Sequence, residues 1–529
     1  MGAIYKGTKN LSIVLIIAGL VFIFLAAGIS FSYELEKHVQ KFTLSNGLTV
    51  LLFERHTSPT VSLYIRHKVG AVDEANGKTG TAHFLEHMIF KGTKTIGTTD
   101  YNREEKILRD VSRVGNALDR EKKKGKTANK KLLSQLTKQI AELQKQNKRL
   151  TVSNEIDRIY TENGAVDLNA STGQDVTTYQ VSLPANKIEL WARIEADRMA
   201  NPVFREFYSE RDVIMEERRQ SVESDPDGKL VEQFLAAAFH AHPYGRPILG
   251  WPSDMSSLDP GYIKDFFSLY YAPNNTVIAI VGDIDPTVTM KTVKKYFGGI
   301  KGGTDLLKSV PLQSFHITEE PPQRGERRAE VLFDANPQLI IGYHKPTIPS
   351  FDDYVFDIIE SILGQGRTSR FYKILVEEKG IAESVQVTNS FPGVRYPNLF
   401  AVFATPRHPH TAAELEAEIY LEIEKLKKEG VSTKELNMAK NRLRADFIRG
   451  LASNSGLAGK LSYYEALAGG YGYLINQIDV IEKITSLDII KVAIQYLTKE
   501  NRTVAIIVKN ENIRPSQEQK VTGPPEQPH

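Results

Sequence analysis

Hydrophobic and polar positions along the chain follow two different periods, and each period predicts a different kind of element. Runs rich in β-branched residues, such as 48–53 and 61–69, predict β-strands. In contrast, the stretch 209–219 places charged residues around Val213, Ile214 and Met215 and contains no Gly or Pro, which predicts a helix. We therefore expect a chain that mixes strands with helices.

The same succession of elements occurs twice along the chain. The strand-like run 275–281 resembles the run 502–508, and each follows a helical stretch that opens with Ser-Leu-Asp. The two copies lie 227 residues apart (503 minus 276). A period of this length indicates duplicated domains rather than a solenoid. The pattern therefore predicts two halves of similar plan, each containing strands and helices.

Two long amphipathic stretches in the first half predict a helical hairpin. Its turn would lie at 124–129, and its tip, residues 120–131, is strongly basic. One apolar stripe follows a coiled-coil spacing with a single polar position, and a second apolar stripe is expected to pack against it. The stripes are Leu133, Leu136, Ile140, Leu143, Asn147 and Leu150, and Ile107, Val111, Val114 and Leu118. We expect an arm that projects from the first half, either solvated or in contact with a partner subunit or an anionic membrane.

Three segments fall outside the predicted domains. Lys6 and Lys9 precede an uncharged run of 21 residues, 11–31, so residues 1–35 are either a signal peptide or a membrane anchor. The positive flank stays inside in both cases, and we expect the rest of the chain to be exported. Gly, Pro and charge at 301–324 predict a linker, and the polar tail 511–529 is predicted to be disordered.

Composition narrows the classes of function. Of the 529 residues, 41% are hydrophobic and 25% are charged, as in ordinary globular proteins, and the length predicts more than one domain. The net charge of +3 indicates no polyanionic partner, and nucleic acid is not expected for an exported chain. The chain contains no cysteine, which excludes disulfides and a metal site with thiolate ligands.

The most informative motif is His83-Phe-Leu-Glu86-His87, which lies in an apolar stretch. On a helix, residues three and four apart share one face, so two imidazoles can bind one metal ion with the carboxylate beside them. A buried helix that carries these polar groups needs a reason for them. The order H-x-x-E-H is the inverzincin signature, although two His four residues apart also occur as ordinary core or surface residues.

A third metal ligand is expected in the predicted helix 209–219. Glu210 and Glu217 are seven residues apart, which is two helical turns, so both face the same way. Two His, one Glu and a water form a known catalytic zinc arrangement. Acidic residues on a charged helix are more often solvated or paired with Arg, and Glu216 lies next to Glu217. The residues alone therefore leave the third ligand open.

With both motifs in this order, residues 41–510 resemble the insulinase/pitrilysin family of zinc metallopeptidases. The similarity is to the subgroup of the mitochondrial processing peptidase and its bacterial relatives. The resemblance implies one Zn²⁺ per chain, with His83, His87 and Glu217 as its ligands. It implies Glu86 as the general base and Glu210 as a supporting carboxylate.

The resemblance also implies a fold and a mode of substrate binding. The family fold is α+β, with two duplicated domains, each a mainly antiparallel sheet covered by helices. We assign the catalytic zinc domain to 36–300, with the hairpin as an insertion within 102–167, and a non-catalytic homologous domain to 325–510. The substrate-binding residues would be Asn169, Ala170, Ser171 and Thr172. The sequence predicts that they form a turn that leads into a strand at 177–183. In the family that strand is the edge to which the substrate backbone adds; an interior strand is the alternative.

Two departures from the family pattern bear on function. The second domain of the family often carries an Arg and, seven residues later, a Tyr that contact the substrate, whereas Val376 and Glu383 occupy those positions here. In the bacterial subgroup a separate metal-free subunit often supplies both residues, so we predict a hetero-oligomer with such a homologue. The interval between His87 and Glu217 is also longer than expected, which we attribute to the hairpin.

Three hypotheses about function follow. The first is an exported zinc endopeptidase of the bacterial periplasm, or of the periplasmic face of the inner membrane, that cleaves peptides or unfolded protein segments. In it, zinc activates a water and Glu86 transfers the proton. The second is a zinc-bound but weakly active scaffold or binding subunit, motivated by Val376 and Glu383. The third is a membrane-anchored protein that interacts through the basic hairpin, with the membrane as partner if the N-terminus is not cleaved.

Overall fold

A computed structural model describes residues 35, 37–302 and 317–509, which form two sheets covered by helices. The strands of the first sheet are β1 (Gln40–Thr43), β2 (Thr49–Glu54), β3 (Thr60–His67), β4 (Val166–Thr172), β5 (Thr177–Pro184) and β6 (Thr276–Gly282). Their order in the sheet is β1-β2-β6-β3-β5-β4. Of the described strand pairs in this sheet, only β2 and β6 run parallel.

The second sheet repeats this topology. Its strands are β7 (Arg327–Phe333), β8 (Leu339–Lys345), β9 (Ala382–Phe391), β10 (Asn398–Pro406) and β11 (Arg502–Lys509). Their order is β7-β11-β8-β10-β9, with β7 and β11 parallel. These five strands therefore take the places of β2, β6, β3, β5 and β4. The predicted α+β class and the duplication are confirmed.

Helices connect the strands in both halves, and the first half has additional ones. The helices of the first half are α1 (Thr81–Phe90), α2 (Tyr101–Lys122), α3 (Lys130–Lys148), α4 (Glu155–Glu162), α5 (Ile188–Ala200), α6 (Phe207–Arg218), α7 (Pro226–Ala238), α8 (Pro252–Met255), α9 (Pro260–Tyr270) and α10 (Pro286–Phe297). Those of the second half are α11 (Phe351–Leu363), α12 (Ala412–Glu429), α13 (Thr433–Gly450), α14 (Asn454–Leu467), α15 (Gly472–Lys483) and α16 (Ser486–Tyr496).

The two halves exchange one helix each. Helix α14 of the second half covers β3 and β6 of the first sheet, and α7 of the first half covers β7 and β11 of the second sheet. Strand β6 is consequently buried on both faces: Ile278 and Ile280 face the first core, whereas Val277, Ala279 and Val281 pack with α14. Burial on both faces explains why β6 is a continuous apolar run rather than an alternating one.

The predicted hairpin is present, but it does not project freely. Helices α2 and α3 pack against each other through the predicted stripes, with Val111 and Ile140 buried. Helix α2 also lies against α6, because Asp119 accepts a 2.8 Å hydrogen bond from Arg211 and Tyr208 packs against Gly115. Helix α2 is therefore packed on the first half, whereas most side chains of α3 remain exposed. Only the tip, residues 120–131, extends past these contacts.

Several predicted segments lie wholly or largely outside the described residues. These are the signal peptide or anchor at 1–35, most of the linker at 301–324 and the tail at 511–529. Within the described ranges, no helix combines the length and apolar character that a membrane span requires. The proposed domain boundaries remain predictions.

Candidate metal centre

A buried carboxylate holds the first turn of α1, the helix that carries the H-x-x-E-H motif. The helix begins after Gly80, whose φ of 85° lies in the left-handed region that favours glycine. Glu74, on the loop after β3, accepts 2.7 Å hydrogen bonds from the backbone N–H groups of Gly80 and Ala82. These bonds satisfy donors that the start of a helix leaves unpaired. The orientation of α1 relative to the sheet is thereby fixed.

His83, His87 and Glu217 converge where α1 meets α6. The Nε2 atoms of His83 and His87 each lie 3.7 Å from a carboxylate oxygen of Glu217. Each residue offers one potential ligand atom, and these three atoms lie within 4.8 Å of one another. Among the described residues, these three form the cluster of His and carboxylate side chains that can hold a metal ion. Three such ligands with space for a water fit a catalytic zinc site.

The environment of His83 favours metal binding over hydrogen bonding. Burial, with a smaller contribution from the charge of His87, lowers the pKa of His83 to about 4. The ring is therefore neutral at physiological pH, which is the form that binds metals. Its Nδ1 is buried and has no hydrogen-bond partner among the described residues. Nε2, which lies 3.7 Å from Glu217, is the ring nitrogen that faces the other two potential ligands.

Glu210 orients His87. The Nδ1 of His87 and Oε1 of Glu210 are 2.9 Å apart, so an N–H at Nδ1 leaves Nε2 free to face Glu217. Lys91 donates to the other Glu210 oxygen at 2.6 Å and also contacts Glu206 at 3.2 Å. Desolvation alone lowers the pKa of His87, but the hydrogen bond and the charge of Glu210 outweigh it and raise that pKa. This geometry places Glu210 where a supporting carboxylate is predicted.

Glu216 lies outside the centre although it neighbours Glu217 in the sequence. Its side chain is 49% exposed and bonds to Arg219 at 2.6 Å and to Gln220 at 2.8 Å. These hydrogen bonds lower the pKa of Glu216 to about 2. Of the two adjacent carboxylates, only Glu217 reaches the two imidazoles.

Glu86 lies on the same face of α1, in position to move a proton. Its side chain is buried, and Thr172 at the end of β4 donates a 2.5 Å hydrogen bond to its Oε2. Burial raises the pKa of Glu86, and the hydrogen bond from Thr172 partly opposes that rise. A carboxylate with a raised pKa suits general base chemistry. The predicted residues Glu86 and Thr172 are therefore in direct contact.

The structure corrects the assignment of the edge strand. Residues 169–172 belong to β4 rather than to a turn, and β4 is the edge of the sheet; the strand predicted as the edge, β5, lies between β3 and β4. Asn, Ala and Ser are poor strand formers, which made this segment resemble a turn. Pairing of Asn169 with Gln180 and of Thr172 with Thr177 overrides that preference. All four predicted substrate-binding residues thus lie on the edge strand.

A cleft of about 390 Å³ lies beside the three potential metal ligands. Glu86 and His87 form one wall, and Asn169 and Ala170 of β4 form another. Residues 151–157, which follow the hairpin, complete it. The apolar side chains in its lining are those of Phe90, Ile96, Val152, Ile156 and Leu168. An extended peptide along β4 could place a side chain in this cleft.

Three residues around the centre were not predicted from the sequence. Lys91 lies one helical turn after His87, and this spacing could have indicated its place on the same face of α1. Glu206 and Glu74 carry no comparable signal: Glu206 precedes α6 and contacts Lys91, and Glu74 lies on the loop after β3 and contacts the start of α1. Their contacts depend on tertiary structure.

Two family models match the chain. The model described as insulinase, peptidase family M16, matches residues 49–119 and 143–251, and the model described as the peptidase M16 inactive domain matches residues 257–443. The first match is interrupted at 120–142, which contains the hairpin tip and most of α3. The interruption is shorter than the predicted insertion at 102–167.

Similar proteins include several that carry zinc protease names. The zinc protease PqqE of Helicobacter pylori is 28% identical over 499 residues, covering 93% of this chain and 97% of that protein. The uncharacterized zinc protease YmxG of Bacillus subtilis is 23% identical, covering 85% and 94%. The crystal structure of a protease from Helicobacter pylori has a TM-score of 0.74 at 26% identity, covering 89% and 99%. A peptidase M16 inactive domain from Pseudomonas fluorescens has a TM-score of 0.68 at 16% identity, covering 89% and 98%, which bears on the fold alone.

Proposed function

The chain belongs to the insulinase family, peptidase family M16, and on that premise we propose that it is a zinc-dependent endopeptidase. Its substrates would be peptides or unfolded protein segments. The observation that carries this proposal is the convergence of His83, His87 and Glu217 within 4.8 Å, with Glu86 on the same helical face. The zinc protease names of its relatives support the choice of metal.

The mechanism assigns each polar group of the centre a role. His83, His87 and Glu217 would hold one zinc ion, which when bound supplies a Lewis acid for the attack of water on the scissile carbonyl. Glu86 accepts the proton of the attacking water and delivers it to the leaving amine. Because Thr172 donates to Oε2 of Glu86, the other carboxylate oxygen is available for that proton.

The edge strand provides a general way to bind substrate. An extended peptide that pairs with β4 gains backbone hydrogen bonds without a required sequence. Its course along residues 169–172 leads to Thr172, which contacts Glu86. The adjacent cleft, with its apolar lining, offers room for one substrate side chain. Peptides and unfolded segments present such an extended strand readily, which favours them as substrates.

A second, metal-free subunit would complete the active site. Val376 is partly buried against the core of the second half, and Glu383 is exposed on β9, so neither position offers the Arg or Tyr of the family pattern. We infer that a homologous subunit supplies them. The match of the second half to an inactive-domain model is compatible with a family that pairs active and inactive units.

The site of action would be the periplasm or the periplasmic face of the inner membrane. This part of the proposal rests on the charge and length of the N-terminal segment and on the fold similarity to a periplasmic protease, PqqL of Escherichia coli, at 17% identity. The alternative is a zinc-bound but weakly active binding subunit. Val376 and Glu383 are the observation that favours it.

One experiment distinguishes the endopeptidase from the weakly active binding subunit. The full chain would be assayed for zinc content and for cleavage of an unstructured quenched peptide, alone and with a metal-free homologue from the same organism. Glu86→Gln should keep the zinc and lose cleavage, whereas Glu216→Gln should keep both. Cleavage only in the mixture supports a split active site, and cleavage by the chain alone removes the need for a partner. Bound zinc without cleavage in either sample would favour the binding subunit, and absence of zinc would refute the peptidase.

A further inference from the structure

The hairpin tip, residues 120–131, carries a cluster of positive charge that has no role in the proposed metal centre. Residues 120–131 contain seven cationic side chains and one acidic residue, Glu121. The cationic residues, all exposed, are Arg120, Lys122, Lys123, Lys124, Lys126, Lys130 and Lys131. Residues 101–149 contain fifteen Lys or Arg and six Asp or Glu, a net charge of +9, although the whole chain has a net charge of only +3. The remainder of the chain is therefore net negative.

The cations of the tip are not neutralised by neighbouring carboxylates. Lys124 pairs with Glu121 at 2.5 Å, and within the described ranges the other six have no carboxylate within ion-pair distance. Nearer the hairpin base, the same helix pairs its cations in the usual way, as Arg113 does with Asp110 at 2.7 Å. Exposed helices normally carry such alternating charges. The tip departs from that pattern.

The turn at the tip is held in place from within. Glu121 is buried, and it accepts a 2.7 Å hydrogen bond from the backbone N–H of Asn129 in addition to its contact with Lys124. The single acidic residue thus joins the end of α2 to the start of α3. This arrangement presents the surrounding lysines to solvent on a fixed turn rather than on a flexible loop.

The composition of the tip indicates what kind of surface it fits. It contains no aromatic side chain, which nucleic-acid and protein interfaces commonly use as anchors. Six of its seven cations are Lys, a compact point charge, rather than Arg, which suits paired hydrogen bonds to a defined anion. Clusters of this kind bind diffuse anionic lipid headgroups. The predicted signal or anchor at 11–31 would bring the chain to a bilayer.

We propose that the hairpin tip, residues 120–131, docks on an anionic phospholipid bilayer. The tip would hold the first half at the membrane, while catalysis uses the opposite end of the hairpin, where residues 151–157 border the cleft. Each cation near such a surface strengthens binding about fivefold, which corresponds to about 1 kcal/mol. Screening restricts the attraction to about 8–10 Å at physiological salt, so the docking must be salt-dependent.

The absence of cysteine allows a direct test. Thr127→Cys at the exposed turn gives the full chain a single site for a fluorophore, and Gln495→Cys on α16 gives a matched exposed site on the body. Each labelled chain would be reconstituted with vesicles that carry a headgroup quencher. One set contains phosphatidylcholine with ~30% phosphatidylglycerol, and the other contains phosphatidylcholine alone. We expect strong quenching at position 127 only with the anionic vesicles, reversed by about 0.5 M NaCl, and weak quenching at position 495.

Charge variants separate docking at the tip from general attraction. Replacing Lys122, Lys123, Lys126, Lys130 and Lys131 with Gln should abolish the quenching at position 127. The control replaces five exposed lysines of the body with Gln and should leave it unchanged: Lys264, Lys291, Lys434, Lys491 and Lys499. Equal quenching in both vesicle types, or quenching that survives the tip variant, would overturn the proposal. Protection of position 127 by a second copy or by the homologous subunit without lipid would also overturn it, in favour of a protein partner.

Discussion

Replacing Glu210 with Gln isolates the contribution of a carboxylate that supports the metal centre without being a ligand. Glu210 accepts from Nδ1 of His87 at 2.9 Å and from Lys91 at 2.6 Å, and its side chain is only 10% exposed. In the Gln variant one end of the amide can still accept, but its NH₂ group then faces Lys91 or the ring N–H. The variant therefore keeps the volume of the side chain and loses both the charge and one of the two contacts.

The expected loss is in metal affinity. Partners that orient a metal-binding His typically change affinity ten- to a hundredfold, so the zinc Kd of Glu210→Gln should rise by about that factor, or about 1.4–2.7 kcal/mol. Most of the effect should come from His87, because Lys91 retains Glu206 as a second partner at 3.2 Å. Glu210→Asp should give a smaller loss, since it keeps the charge.

Competition with a chromophoric chelator at neutral pH measures the Kd directly. Glu216→Gln is the matched control, because Glu216 lies on the same helix, is 49% exposed and binds Arg219 instead of a metal ligand. Urea unfolding of the zinc-free proteins would show whether either variant loses fold stability. An unchanged Kd for Glu210→Gln, or an equal loss in the Glu216 control, would refute the assigned role of Glu210.

Three further outcomes test other contacts. Thr172→Val removes a hydrogen bond that stabilises the charged form of Glu86, so the pKa of Glu86 should rise and the acid limb of kcat/KM should move to higher pH; Ser171→Ala should leave the profile in place. Glu74→Ala leaves two N–H groups of α1 unpaired and should lower the free energy of unfolding by about 2 kcal/mol or more in a urea titration. Gly115→Ala should destabilise by about 1–3 kcal/mol, despite the helix preference of Ala, because its Cβ would lie 2.0 Å from Tyr208; Gly472→Ala, which meets nothing within 4 Å, should not.

The parts of the site that depend on helical spacing could be predicted, and the parts that depend on tertiary contacts could not. The spacing of His83, Glu86 and His87 is local geometry, and so is the spacing of Glu210 and Glu217. Prediction of the contact between Thr172 and Glu86 required the correct edge strand. The residues of β4 have weak strand preference, so the sequence did not predict this strand. The apolar stripes predicted the hairpin. Its packing on α6, however, depends on the close approach of Tyr208 to Gly115 in the middle of α2. A glycine at that place has no distinctive sequence signal.

The duplicated topology allows the centre of the first half to be compared with the corresponding place in the second half. Helix α11 follows β8 as α1 follows β3, and it also turns acidic residues, Asp353 and Asp357, towards its own edge strand. There Asn389 of β9 donates to Asp357, as Thr172 of β4 donates to Glu86. However, α11 has no His, and Lys345 of β8 makes an ion pair with Asp353. An internal cation thus pairs with an acidic residue of α11, and α11 offers no imidazole to a metal ion.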